Sequence, residues 1–216
     1  LIAIVDYGMG NLRSVEKAFK KVGFDVIVTS KPERLKDAKG VVLPGVGAFR
    51  DCMLNLERLN LLDTILHIIN EGKPYLGICL GLQILFSESE EFGASKGLDI
   101  IKGKVVRFKV NGLKVPHMGW NNVRFKKEIS LFNQVPDNSY FYFVHSYYVV
   151  PEDPDVIAAT TDYGVEFVSA VCKDNVVATQ FHPEKSQRLG LQIIRNFAMM
   201  AEGKSLRELH QGSSLQ

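Results

Sequence analysis

The sequence predicts an α/β fold: a mostly parallel central sheet flanked by helices, with an additional antiparallel β region. Three observations predict it. Short apolar runs alternate with helix-spaced segments through the first half, the pattern of a parallel sheet covered on both faces. After Gly97 the texture changes to short β-rich runs divided by turn-forming residues, which read as antiparallel or mixed strands. A length of 216 residues, 46% hydrophobic and 23% charged, suits one such domain with a modest insertion.

Leu1–Asp6 reads as the first strand, and Asn11 as the N-cap of a helix over Leu12–Val22. Phe24–Val28 and Gly40–Leu43 supply the second and third strands. Apolar spacing predicts helices over Ala48–Leu56 and Leu61–Asn70. Tyr75–Ile78 is the next strand, and Leu80–Ser87 the helix after it. The later β-rich runs are Lys104–Val110, Asn122–Phe125, Tyr140–Val144, Val156–Thr161, Phe167–Cys172 and Val176–Gln180, before a final helix over Leu189–Ala201. No repeat or linker interrupts the chain. Residues 1–203 are therefore expected to form one domain, with 204–216 as a C-terminal tail of low order ending in the small, polar Gly212–Gln216.

The balance of charge excludes several function classes. A net charge of +2 gives no reason to invoke nucleic acid or a membrane surface, and no apolar run reaches bilayer length. The apolar Leu1–Val5 fits a strand rather than a signal peptide. Cys52, Cys79 and Cys172 are too scattered for a disulfide framework or a metal-spaced pair, so a cytoplasmic protein without metal is expected. Between Ile100 and Lys127 stand eight basic residues and no acidic one. They read as the solvated face of hairpin strands or as a dock for an acidic surface.

Chemistry concentrates at Pro74-Tyr75-Leu76-Gly77-Ile78-Cys79-Leu80-Gly81-Leu82-Gln83. An apolar strand runs into a cysteine with a glycine two residues away on each side, and helical spacing follows. That is the layout of a nucleophile elbow, with sulfur in place of the serine hydroxyl. The helix that follows aims its N-terminal amides at the sulfur and favours the thiolate. A buried structural cysteine is the competing reading at this point. The second element is Phe181-His182-Pro183-Glu184: in an extended segment residues two apart project the same way, so Glu184 can hold the imidazole while His182 reaches Cys79. The third is Leu43-Pro44-Gly45-Val46-Gly47, at the carboxyl end of a predicted strand, where open α/β sheets place their crevice. Gly45 and Gly47 permit backbone conformations closed to other residues, so an amide of the Gly45–Val46 stretch and that of Leu80 are candidate oxyanion donors.

Gly77-Ile78-Cys79-Leu80-Gly81-Leu82-Gln83 with Phe181-His182-Pro183-Glu184 resembles the class I (triad-type) glutamine amidotransferases, over nearly the whole chain. Asp6–Leu12, Pro44–Phe49, Pro116–Asn121 and Tyr142–Tyr147 are similar to one branch, the glutaminase subunits of imidazole glycerol phosphate synthases. The resemblance implies a flavodoxin-like three-layer fold and L-glutamine as substrate, with no cofactor. It implies Cys79 as nucleophile, His182 as proton carrier and Glu184 as its orienting partner. Gly47, Gln83, Glu91, Ser146 and Tyr147 are then substrate-binding, and ammonia passes along a dry conduit to a separate (βα)8-barrel cyclase subunit, HisF, in a heterodimer. Asn11, Met118, Trp120, Tyr142 and Lys185 are the expected interface. Trp120, the only tryptophan, stands in turn-like sequence as a docking anchor or a core residue beneath a loop. A stand-alone thiol hydrolase and a non-catalytic binding subunit are the alternatives; Gln83 and the Pro116–Asn121 segment argue against the first, the intact Cys79, His182 and Glu184 against the second.

Overall fold

The computed structural model describes residues 1–203, and the expected tail at 204–216 lies outside the described residues. The first half builds β1 (Ile2–Val5), α1 (Leu12–Lys21), β2 (Val26–Thr29), α2 (Pro32–Asp37), β3 (Gly40–Gly45), α3 (Phe49–Arg58), α4 (Leu62–Asn70), β4 (Tyr75–Cys79) and α5 (Leu80–Gln83). The second half is mostly strand: β5 (Phe86–Ser89), β6 (Ser95–Lys96), β7 (Ile101–Arg107), β8 (His117–Phe125), β9 (Ser139–His145), β10 (Tyr147–Pro151), β11 (Ile157–Asp162), β12 (Glu166–Lys173) and β13 (Val176–Thr179), closed by α6 (Gln187–Ala201).

The strands run in the order β2-β1-β3-β4-β13-β12-β10-β7-β5-β6, with β11 joining β12 to β8 and β8 pairing β9. From β2 to β13 every pairing is parallel. Antiparallel pairing starts at β13–β12 and dominates the rest. The parallel strands are buried on both faces, and their alternation sorts side chains into two cores. Ala3, Val5, Val41, Leu43 and Tyr75 pack with α3 and α4 on one face; Ile2, Ile4, Val42, Leu76 and Ile78 pack with α1 and α6 on the other. The expected fold class is what forms.

Several elements differ from the sequence reading, each for a traceable reason. The helix expected over Leu80–Ser87 is one turn, Leu80–Gln83, and its continuation is strand β5. The carbonyls of Ile84, Leu85 and Phe86 accept from the amides of Leu98, Ile100, Ile101 and Asp99, so a later segment takes them out of any helix. The six-residue helix α2 escapes periodicity because only Leu35 is buried on it. Strand β10 was not expected; it pairs β7 from Tyr147↔Arg107 to Pro151↔Gly103. Trp120 lies inside strand β8, opposite Tyr142, not in a turn, and is 46% exposed, so it is not a core tryptophan. The basic residues Lys102, Lys104, Arg107, Lys109, Lys114, Arg124 and Lys126 are exposed, and Lys127 is half-buried. Lys104 meets Glu88 at 3.1 Å and Lys126 meets Glu166 at 3.3 Å, so this face already carries partners of opposite charge. No helix among the described residues is long and apolar enough to cross a membrane.

Candidate active site

Register brings the three sequence segments together. Strand β4 lies between β3 and β13, with Gly45 opposite Cys79 on one side and Thr179 opposite Ile78 on the other. The chain beyond β3, the cysteine at the end of β4 and the segment beyond β13 therefore meet at one carboxyl edge of the parallel sheet, where ligand crevices form.

Cys79 has φ 56 and ψ −104, outside the left-handed well that a side chain tolerates. Packing holds this strain in place. A Cβ at Gly77 would lie 2.3 Å from the Gly81 carbonyl oxygen, and one at Gly81 would lie 1.9 Å from that of Leu43. Both contacts are with backbone, so only glycine fits on either side of Cys79. Because α5 is a single turn, its dipole is a small contribution to the sulfur, less than the full helix expected would give.

His182 Nδ1 and Glu184 Oε1 are 2.8 Å apart, and both side chains are almost wholly buried. The alignment arises differently from the extended pairing expected: His182 is extended, but Pro183–Lys185 forms a 3-10 turn that swings Glu184 back under the ring. Ser186 Oγ donates to the His182 carbonyl at 2.6 Å and accepts from the Tyr142 amide at 3.0 Å, fixing this turn to β9. Burial opposes protonation of His182, but the adjacent Cys79 sulfur and Glu184 carboxylate more than offset it, raising the imidazole from 6.5 to about 10. Its Nε2 has no hydrogen bond of ordinary geometry, and the nearby sulfur raises its basicity first through charge and second through a hydrogen-bonding contact.

A cavity of about 310 Å³ opens beside the sulfur, lined by Val46, Gly47, Cys79, Leu80, Gln83 and Glu91, with Pro116 and the run Val144–Tyr147 opposite. Gly45 stays beneath this surface, and its role is steric: a Cβ there would lie 2.6 Å from Tyr7 Oη and 2.7 Å from Leu80 Cβ. Only Gly47 (φ +99) uses glycine's conformational freedom, correcting the expectation that both do. Tyr7 anchors the loop from below by donating to the Pro44 carbonyl at 3.0 Å. Glu91 Oε2 accepts from the Phe49 amide at 2.7 Å, capping the first turn of α3 while its other oxygen is free for a ligand. A larger cavity of about 990 Å³, around Phe125, Lys127 and Cys172, shares no lining residue with this one.

Gln180 is the residue beside Cys79 that motif reading missed. It is fully buried one residue past β13, and its Nε2 lies 3.5 Å from Cys79 Sγ while its Oε1 accepts from Gln83 Nε2 at 3.1 Å. Gln83 also donates to the Tyr147 carbonyl at 3.1 Å, so both its N–H groups are committed and its Oε1 is left as an acceptor in the cavity lining. The available signal was a polar residue at the end of an otherwise apolar strand.

Of the expected interface residues, four form one patch. Tyr142 meets Trp120 edge-on at 6.2 Å, Lys185 Nζ lies 5.9 Å from the Tyr142 ring, and Met118 is 62% exposed on the same strand as Trp120. Asn11 is exposed and caps α1 by accepting from the Ser14 amide; α1 packs on the Pro183–Lys185 turn. No group of three or more His, Cys, Asp or Glu side chains among the described residues is placed to hold a metal ion.

The family described as glutamine amidotransferase class-I matches residues 3–201. Imidazole glycerol phosphate synthase subunit HisH of Geobacter metallireducens is 55% identical over 92% of this chain and 97% of its own length. The proteins of the same name from Aquifex aeolicus (54% identical, 92% of this chain and 96% of that one) and Methanothermobacter thermautotrophicus (54%, 91% and 97%) are as similar. Among solved structures, PurLQS from Thermotoga maritima superposes with a TM-score of 0.71 at 18% identity, covering 94% of this chain and 97% of that one, which speaks to fold alone. A match of this breadth, on a chain whose strained cysteine and buried His–Glu pair meet at one sheet edge, makes it a member of the class I glutamine amidotransferases and, within them, of the HisH subunits of imidazole glycerol phosphate synthase.

Proposed function

We propose that this chain hydrolyses L-glutamine at Cys79 and delivers the ammonia to a (βα)8-barrel cyclase partner, HisF, which makes imidazole glycerol phosphate and AICAR from PRFAR in histidine biosynthesis. The observation that carries the reading is the strained Cys79 facing the buried His182–Glu184 pair at the wall of a cavity of about 310 Å³, a size suited to an amino acid. The raised basicity of His182 makes the imidazolium the resting form at neutral pH, so a proton is at hand for the leaving nitrogen.

The thiolate attacks the side-chain amide carbon of glutamine, forming the C–S bond and an oxyanion that an amide of the Gly45–Val46 stretch and that of Leu80 receive. His182 gives its proton to the nitrogen as the C–N bond breaks, so ammonia departs neutral and a thioester remains. Water then attacks the thioester with His182 as base, releasing glutamate and regenerating the thiolate–imidazolium pair. Glu184 orients the ring and stabilises its charge. Gln83 Oε1 and the free oxygen of Glu91 are acceptors suited to the substrate's α-ammonium, while Gly47, Ser146 and Tyr147 complete the binding wall. The patch of Met118, Trp120, Tyr142 and Lys185, with Asn11 beside α1, is the proposed docking face. Residues 1–203 act as the single amidotransferase domain.

The test is glutamine hydrolysis by the chain alone and with the cyclase bound to its ligand, for wild type and Cys79→Ala. Weak activity alone, strong stimulation in the complex and none in the variant are expected. Ammonia salts should restore synthase turnover to the variant complex. Residual glutamine hydrolysis by Cys79→Ala would remove the sulfur from the mechanism.

A further inference from the structure

Two buried histidines, His145 in the cavity lining beside Ser146 and His117 behind it, take no part in the chemistry above. His145 Nδ1 is 2.8 Å from the Tyr147 carbonyl oxygen, His145 Nε2 is 2.9 Å from His117 Nδ1, and His117 Nε2 is 3.2 Å from Asn121 Nδ2. The ends of this chain determine every proton in it. A carbonyl only accepts, so His145 Nδ1 carries hydrogen. At the other end Asn121 is oriented by two backbone groups: its Oδ1 accepts from the Asn122 amide at 2.8 Å, and its Nδ2 donates to the Asp162 carbonyl at 2.8 Å. Its second N–H therefore points at His117 Nε2, which must accept. His117 then carries its hydrogen on Nδ1 and donates to His145 Nε2. A proton added to either ring would set N–H against N–H.

The geometry points to His117 and His145 as neutral positioning residues: a one-way relay, Asn121 to His117 to His145 to the Tyr147 carbonyl, that holds the glutamine-binding wall at its distance from Gln83. Tyr147 O accepts from both His145 and Gln83, and the residues leading into it, Val144 and His145, line the same cavity. Burial lowers His117 to about 4 and His145 to about 3, in the direction that the hydrogen-bond logic demands. His117 is also stacked between Tyr163 at 4.1 Å and Phe143 at 4.9 Å, so the competing role is space-filling in an aromatic cluster. The inference rests on the reading of Ser146–Tyr147 as part of the glutamine site.

Two substitutions separate relay from filler in the complex with the cyclase. His117→Phe keeps ring and stacking but removes the donor, leaving His145 Nε2 unpaired; His117→Asn keeps an N–H at the Nδ1 position but loses the ring. The relay predicts that His117→Phe raises the KM for glutamine about tenfold with a smaller change in kcat, and that His117→Asn recovers most of the loss. Iodoacetamide alkylation of Cys79 should stay near the wild-type rate in both. A wild-type KM in His117→Phe, or His117→Asn no better than His117→Phe, overturns the relay. If neither variant assembles, as judged by co-elution with the cyclase in size-exclusion chromatography, imidazole nitrogen NMR of the wild type decides: neutral Nδ1–H rings at both positions at pH 5.5 support it, and an imidazolium or an Nε2–H ring rejects it. A wild-type complex inert toward glutamine would defeat the functional proposal while leaving these tautomers measurable, so the two failures are distinguishable.

Discussion

In the proposed mechanism the proton on His182 decides reactivity, and it also contributes a part of the stability. Its basicity is raised from 6.5 to about 10, so the folded state holds that proton more tightly than the unfolded chain does. The stabilisation is complete below about pH 6.5 and is lost as the pH rises through about 10. Catalysis follows the same group, since neutral ammonia leaves only when the imidazolium supplies a proton. The alkaline limb of kcat/KM for glutamine is therefore expected near pH 10. Glu184→Gln keeps the shape beside Nδ1 and removes the charge that helps hold the proton. It should move that limb to lower pH and reduce kcat more than about tenfold. A limb that stays in place in this variant would mean that the sulfur alone sets the basicity. His117 and His145 have the opposite sign. Their lowered basicity makes stability fall as the pH drops below about 6.5, toward about 4 for His117 and about 3 for His145.

At the scale of elements, the catalytic turn depends on α6 as much as on the strand before it. A Cβ at Gly190 would lie 1.9 Å from the Pro183 carbonyl oxygen and 2.8 Å from Ser186 Cβ. Backbone cannot yield as a side-chain end can, so Gly190→Ala must push α6 off the turn or drag the turn with it. The expected result is a loss of about 1–3 kcal/mol in denaturant unfolding, with a fall in kcat for glutamine. An unchanged kcat beside lower stability would mean that α6 alone gives way. This dependence shows where sequence reading ends. Gly77 was legible because the clash it avoids lies at the elbow itself, Gly81 because it completes the elbow's glycine pattern although the carbonyl it avoids belongs to Leu43 of β3, and Asn11 because a cap is local. Gly190 was not, since its partner is a carbonyl presented by another element and no motif marks the position. The truncation of α5 had the same cause, because residues 98–101 claim its carbonyls. Gln180 meets Cys79 across 101 residues of chain, a contact that exists only once β13 lies beside β4. Short, steric and local constraints were readable; those created by strand adjacency were not.

For the whole molecule, the parallel half supplies the edge that carries Cys79 and the antiparallel half supplies both the far wall of the cavity and the proposed docking patch. Strand β8 serves the two roles at once through its alternation. His117 and Asn121 face inward to the aromatic cluster behind the glutamine wall, while Met118 and Trp120 face solvent beside Tyr142 and Lys185. A tryptophan left 46% exposed contributes little to folding, yet it is a rigid apolar surface of the kind that anchors interfaces. Trp120→Ala is therefore expected to leave thermal unfolding within about 2 °C of wild type, since little buried area is lost. The same change should weaken association with the cyclase by about ten- to a hundredfold in titration calorimetry. Because the strand turns toward the cavity only through His117 and Asn121 on its other face, hydrolysis at saturating cyclase should recover toward wild type, separating lost docking from lost chemistry. Equal affinity of wild type and Trp120→Ala for the cyclase would move the docking face away from β8, and with it the route by which the ammonia leaves Cys79.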